Sequence, residues 1–288
     1  MVLNKIKTMG ELVMFRHTIF ALPFALVAML AAARGIPPAD KFFWIMVAMI
    51  GARNGANALN RIVDREIDAK NPRTAGRHIP RKEVKTWEAA LLTAVCFALL
   101  AVAAYMLDPL CLKLLPVALF IFFIYNYSKR FTWLSHMILG AALGGAPVGA
   151  WIAIRGVIEL PVLVMAAAVT LWVAGFDIIY ATQDIEFDRK EGLHSVPARF
   201  GLDAALRIAA AFHLISVAMM FSLVYFMDMG IIYVIGMVIT GGLFLYEHRI
   251  ISPDNLEKVK IASYNVNELV GVVFLIFGSL DVLYRFVF

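Results

Sequence analysis

The chain has 288 residues, of which 62% are hydrophobic and only 16% charged, with a mean hydropathy of +0.81. A water-soluble domain of this size could not hide so much apolar surface, so lipid is the expected solvent for most of it. The net charge of +5 needs no nucleic acid to explain it. No HExxH, CxxC, Walker or GxGxxG pattern occurs.

Backbone groups in lipid must be satisfied internally, which leaves helices or closed barrels. The apolar runs are long and do not alternate, so they predict an all-α integral membrane protein. They predict about nine spans, at roughly 17–34, 42–62, 87–107, 111–128, 134–154, 161–182, 205–226, 230–247 and 266–286. Lys5, Lys7 and Arg16 precede the first run. That run resembles a signal peptide, but removing it would upset the charge alternation, so it is read as a span. Cys96 and Cys111 lack metal-like spacing and are read as core packing.

Basic residues alternate between loops. One side carries Arg65, Lys70, Arg73, Arg77, Arg81, Lys82 and Lys85 after the second span, Lys129 and Arg130 after the fourth, Arg189, Lys190 and Arg199 after the sixth, and Arg249, Lys258 and Lys260 after the eighth. The other side holds only Arg34, Lys41, Asp108, Lys113, Arg155, Glu159 and Asp228. The positive-inside rule puts the N-terminus in the cytoplasm and the C-terminus outside. The two long cytoplasmic loops resemble each other: each begins Asp-x-x-x-Asp and runs through basic residues and Gly to Pro. This is a weak internal repeat. No low-complexity linker divides the chain, so residues 1–288 are read as one domain.

At 100° per residue, Asn60, Asp64 and Asp68 share an arc of about 80° at the end of the second span. Arg53 and Asn57 lie beside that face, deeper in apolar sequence. In the sixth span Asp177, Tyr180, Asp184 and Asp188 share a similar arc of about 80°. Ionisable groups inside apolar sequence cost roughly 2.5–3.5 kcal/mol each and need a partner or a wet cavity. If the two stripes face one another, five carboxylates converge and repel unless cations are present. With almost no His or Cys nearby, oxygen-only ligands select Mg²⁺ or Ca²⁺. Mg²⁺ with the neighbouring Arg and Lys side chains suits a diphosphate, and apolar helical walls suit a lipid-like tail. A polyprenyl diphosphate meets both conditions. The alternative from another class is an ion-coupled transporter, although transporter sites usually lie near the bilayer midplane.

Asn60-RIV-Asp64-REI-Asp68 resembles the NDxxDxxxD signature of the UbiA superfamily of membrane prenyltransferases. Asp177-II-Tyr180-ATQ-Asp184-IEF-Asp188 resembles its second signature, DxxYxxxDxxxD. Arg61 and Gln183 depart from it, standing where many members carry Asp and Lys. The resemblance implies a helical bundle with a central cavity open to the cytoplasmic side. It implies one Mg²⁺ held by Asn60, Asp64 and Asp68 and another by Asp184 and Asp188. It implies catalytic roles for Asp64, Asp68, Asp184, Asp188, Tyr180 and Asp177, and diphosphate contacts from Arg73, Arg77, Lys129 and Arg130. Arg53 and Asn57 are candidates for the acceptor, Arg53 because a buried guanidinium suits a planar carboxylate.

The strings are most similar to bacterial 4-hydroxybenzoate polyprenyltransferases and to those of the futalosine route, whose acceptor is a dihydroxynaphthoate. The implied partners are therefore polyprenyl diphosphate, an aromatic acid and the inner-membrane bilayer, with no nucleic acid and no obligate protein. A haem or glycerol-lipid acceptor is the alternative within the family. Asn265, Asn267 and Glu268 are expected to cap the ninth span or line the pocket. Arg16, His17 and Asp281 are expected at interfaces.

Overall fold

The structure is a computed structural model and describes residues 8–13 and 22–288, all helix and connecting loop apart from one isolated bridge at Ser252 and Asn255. Among them, seven helical runs are long and apolar enough to cross a membrane: 86–107, 109–128, 135–155, 160–190, 202–226, 231–249 and 261–286. The two other predicted spans fall short of that test. α1 (Leu22–Ala33) has twelve described residues. α2 (Ala39–Val63) has 25 residues, ample length for a bilayer, but carries Asp40, Lys41, Arg53 and Arg61. Lys5, Lys7, Arg16 and His17 lie outside the described residues.

The chain folds as two compact units. The first contains α2, α3 (Arg65–Lys70), α4 (Thr86–Leu107) and nearly all of α5 (Pro109–Ser128). Its closest helix pair is α2 with α4. Gly51 and Gly55 sit one turn apart on the contact. A Cβ at Gly51 would stand 2.6 Å from the Cys96 carbonyl oxygen, and one at Gly55 2.5 Å from the Phe97 ring. Lipid offers no hydrophobic drive between helices, so this close backbone approach supplies the dispersion that holds them. Cys96 is buried in that contact, whereas Cys111 is half-exposed on α5, so only the first is core. Loop 71–85 has a small core of its own. Ile79 and Val84 pack with Leu12 and Ala89, which holds the loop against the end of α2.

The second unit contains α1, α6 (Ser135–Arg155), α7 (Leu160–Ala181), α8 (Ile185–Lys190), α9 (Val196–Phe200), α10 (Leu202–Phe226), α11 (Ile231–Arg249) and α12 (Asn267–Phe286). Gly140 and Gly144 repeat the small-residue device. A Cβ at Gly140 would stand 2.2 Å from the Thr170 carbonyl oxygen, so α6 lies directly on α7. Phe24, Trp172 and Phe274 form the aromatic centre of the core, with Phe24 stacked on Phe274 at 4.3 Å.

Polar side chains are also buried here and bond one another, although Glu247 Oε2 has no hydrogen-bond partner among the described residues. Trp172 Nε1 donates to Asn267 Oδ1 (2.6 Å), and Asn267 Nδ2 donates to Glu247 Oε1 (3.0 Å) and to the Ala262 carbonyl (2.9 Å). His213 bonds the Trp172 carbonyl at 3.2 Å and His248 at 3.0 Å. In a low-dielectric interior such a network fixes its helices in register. Asn267 is thus a core residue, while Asn265 and Glu268 are exposed. Asp281 is no interfacial residue either. It is 1% exposed and accepts from the Gly230 N–H (2.6 Å) and the Tyr233 N–H (3.1 Å). It therefore caps the N-terminus of α11, whose first N–H groups have no partner within the helix.

Two irregular turns matter for the site. α7 ends in a 3₁₀ turn at Thr182–Asp184. α12 is entered through a π-helical turn at Ile261–Val266, which places Tyr264 edge-on against Tyr180 at 5.0 Å.

Candidate active site

The first acidic group lies where α2 gives way to α3. Asp64 sits at the junction (φ −90°, ψ 2°). Helical bonding nonetheless continues through it, from the Asp64 N–H to the Asn60 carbonyl (2.9 Å) and from the Asp68 N–H to the Asp64 carbonyl (2.7 Å). Asn60, Asp64 and Asp68 therefore keep their i+4 spacing. Asn60 Nδ2 donates to Asp64 Oδ2 at 2.9 Å.

Asp64 and Asp68 are 3% and 4% exposed. A buried carboxylate needs a cationic partner, and Arg77 provides one: its Nη1 lies 2.7 Å from both oxygens of Asp68. The loop is bent to bring it there. The Thr74 hydroxyl donates to the Asp68 carbonyl (3.1 Å), and Asn71 Oδ1 accepts the Arg73 N–H (2.9 Å). Arg73 is exposed. Arg61 is buried, donating from Nη1 to Asn60 Oδ1 (3.1 Å) and from Nε to the Leu12 carbonyl (3.4 Å). Arg53 is half-buried on α2. Asn57 spends one amide hydrogen on the Val13 carbonyl at 2.7 Å.

The second acidic group lies in the second unit and differs from the extrapolated stripe. A 3₁₀ turn advances about 120° per residue, so three such residues rotate Asp184 and Asp188 by about 60° relative to an unbroken α-helix. Asp184 and Asp188 are half-buried. Asp188 accepts from the Ser195 hydroxyl at 2.8 Å and lies within electrostatic range of Asp184, Lys129 and His136. Lys129 is tied in through its carbonyl, which accepts the His194 N–H at 2.7 Å. Arg130 is half-buried beside it. Gln183 turns its amide back to the Tyr180 carbonyl at 3.0 Å.

Asp177 has a partner that the spacing argument missed. His136 Nδ1 lies 2.7 Å from Asp177 Oδ2. The expectation that histidine is nearly absent from the stripes is thereby corrected. His136 stands 41 positions away at the start of α6, and no periodicity links the two. Ser195 was hidden in the same way, as the N-cap of the five-residue α9, where its hydroxyl accepts the Ala198 N–H.

The donor set fits a hard cation. Each motif offers only carboxylate and amide oxygens. Arg77 already sits as a positive group between the oxygens of Asp68, at a place that demands one. No group of three or more His, Cys, Asp or Glu side chains is gathered for a metal among the described residues. Two carboxylates per motif is the usual protein share for Mg²⁺ that completes its shell with water and phosphate oxygens.

Known proteins carry the same frame. The 4-hydroxybenzoate octaprenyltransferase of Vibrio parahaemolyticus serotype O3:K6 (strain RIMD 2210633) is 31% identical over 273 residues, covering 93% of this chain and 91% of that protein. The apo structure of a UbiA homologue from Aeropyrum pernix K1 is 34% identical and superposes with a TM-score of 0.85, covering 92% of this chain and 98% of the other. A UbiA homologue from Archaeoglobus fulgidus, bound to DMAPP and Mg²⁺, shares the fold at a TM-score of 0.67 and 20% identity, covering 93% and 99%. Residues 21–269 match the UbiA prenyltransferase family; the chain belongs to that family and is a membrane-embedded transferase of prenyl groups.

Proposed function

We propose that this chain carries out the Mg²⁺-dependent transfer of a polyprenyl group from polyprenyl diphosphate to an aromatic hydroxy acid, 4-hydroxybenzoate or a dihydroxynaphthoate, in quinone synthesis. The observation that carries the reading is the pair of oxygen-only acidic motifs, each furnished with basic side chains, in a membrane chain of a prenyl-transferring family. The relatives named for 4-hydroxybenzoate favour an acceptor of that type.

Asn60, Asp64 and Asp68 are the residues to hold one Mg²⁺, and Asp184 and Asp188 the other. When bound, the metal neutralises charge on the departing diphosphate. Arg77, with Arg73, Lys129 and Arg130, grips the phosphate oxygens. Arg77 would be free to turn from Asp68 to the substrate phosphate if that carboxylate held a Mg²⁺ ion. The C–O bond of the allylic diphosphate breaks with its electron pair going to the diphosphate. A ring carbon of the acceptor then supplies the pair for the new C–C bond, and the proton on that carbon leaves to solvent, restoring the aromatic ring. Apolar helices exclude water from the cation, and the Tyr180 and Tyr264 rings offer it their π faces. Arg53 receives the acceptor's carboxylate. The motifs face the cytoplasm of a bacterial inner membrane, with the N-terminus inside.

The test is direct. Membranes containing the protein are given polyprenyl diphosphate, Mg²⁺ and each acceptor in turn, and the lipid product is weighed by mass spectrometry. Asp64→Ala and Asp184→Ala should still insert and should abolish product. Undiminished product from either variant, with divalent metal chelated, refutes the proposal.

A further inference from the structure

His136 makes two hydrogen bonds that together fix its chemical state. Its ring is 4% exposed. Nε2 lies 3.2 Å from the backbone nitrogen of Val196, and a backbone N–H can only donate. Nε2 is therefore the bare nitrogen. The neutral ring then carries its hydrogen on Nδ1, which donates to Asp177 Oδ2 at 2.7 Å. One carboxylate oxygen is thereby held. The other, Oδ1, has no hydrogen-bond partner among the described residues, and the Asp177 side chain keeps 23% of its surface accessible. The same short loop anchors the far end of the motif, because Ser195, adjacent to Val196, donates its hydroxyl to Asp188.

We propose that His136 is a positioning residue for Asp177. The ring, its tautomer set by the Val196 N–H, steers the carboxylate so that Oδ1 accepts a hydrogen bond from the hydroxyl group of the aromatic acceptor. A phenolic hydroxyl bonded to a carboxylate carries more electron density in its ring, where the allylic cation is captured. The assignment deepens the prenyl-transfer reading and rests on it.

Two substitutions separate this role from simple anchoring of the loop. His136→Asn keeps an amide N–H near the place of Nδ1 and drops the acceptor for Val196. His136→Gln carries an amide oxygen toward the place of Nε2 and drops the donor to Asp177. Kinetics are measured in detergent with the acceptor varied at saturating polyprenyl diphosphate and Mg²⁺, and then the reverse. His136→Asn should retain most of the wild-type kcat/KM for the acceptor. His136→Gln should lose about ten- to hundredfold, with KM for the prenyl diphosphate unmoved. Equal losses in both variants, spread over both substrates, would assign His136 to loop anchoring and overturn the proposal. So would wild-type acceptor kinetics in His136→Gln.

Nitrogen-15 spectra of histidine-labelled protein, assigned with His136→Asn, supply a readout that needs no turnover. They should show the Nδ1–H tautomer, displaced by Asp177→Asn. The Nε2–H tautomer overturns the proposal even in an active enzyme. Failure of the wild type to prenylate any aromatic acceptor, with the Nδ1–H tautomer present, refutes the prenyl-transfer reading and the acceptor contact, but not the His136–Asp177 couple.

Discussion

Replacing Arg77 with Met tests the reading of the first acidic group most sharply. Asp68 has only 5% of its side chain exposed, and Arg77, 28% exposed, bonds both its oxygens at 2.7 Å. Removing one partner of a fully buried pair costs about 3–5 kcal/mol. Arg77 is partly accessible to water, and Arg61 stands within electrostatic range of Asp68, so the expected loss is smaller, about 1.5–3 kcal/mol. Without metal, Arg77→Met should unfold at a clearly lower temperature than the wild type in the same detergent.

Magnesium should reverse the order of affinity. In the wild type the ion must displace the guanidinium from Asp68, whereas in the variant that competitor is gone. The Mg²⁺ midpoint for thermal stabilisation, read without diphosphate, should therefore fall by about tenfold or more, since 1.4 kcal/mol corresponds to a factor of ten. Turnover at saturating Mg²⁺ should fall as well, if Arg77 makes the proposed phosphate contact. A variant as stable as the wild type without metal, with an unchanged Mg²⁺ midpoint, would refute the idea that Arg77 holds the place of a cation.

Two further predictions concern the frame. Gly140→Leu should cost about 3 kcal/mol and lower the yield of folded protein, because its side chain meets the backbone of Thr170. Gly145→Leu, on the same helix with nothing within 4 Å, should unfold at the wild-type temperature, and equal behaviour of the two would exclude close helix contact at Gly140. Asp281→Ala leaves the N–H groups of Gly230, just before α11, and Tyr233, in its first turn, without their acceptor and should cost about 2 kcal/mol, seen as a lower melting midpoint and faster amide exchange at Tyr233.

What could be read from the sequence was whatever local periodicity controls. Asn60, Asp64 and Asp68 lie on consecutive turns and need only the helical repeat to be grouped, and Asn60 and Asp64 do touch. Apolar runs likewise mark most membrane helices, because lipid requires them to be long. The first two predicted spans show the limit. Only twelve residues of α1 are described, and Arg53, Asn54, Asn57 and Asn60 dilute the apolar run of α2. The 3₁₀ turn at Thr182–Asp184 was invisible, because its residues have no composition that separates it from an α-helix.

Partners far apart in the chain were equally hidden. Nothing in the spacing says that His136 meets Asp177, that Asp281 caps α11 or that Arg77 returns to Asp68. These contacts arise only after helices pack. The role of Asn267 was hidden for the same reason. At a span's entrance it was expected to cap the helix or line the pocket, but it bonds Trp172 and Glu247 of other helices.

The turn at Ile261–Val266 winds one residue wider than the helix it feeds. Deleting a single residue there would let an ordinary α-helix form, with every main-chain bond restored. Everything upstream would rotate by roughly 100° about the axis. Tyr264 would swing away from Tyr180, and Asn267 would lose the Ala262 carbonyl it bonds, while Phe274, farther along the helix, stayed in place. Ala262, Ser263 and Val266 of the same turn are buried, and the Ala262 carbonyl accepts from Asn267, so the deletion would alter the wall beside Tyr180 only by breaking core contacts as well. The wider turn is thus locked in register by the core it belongs to, and Tyr264 keeps its place against Tyr180 for that reason.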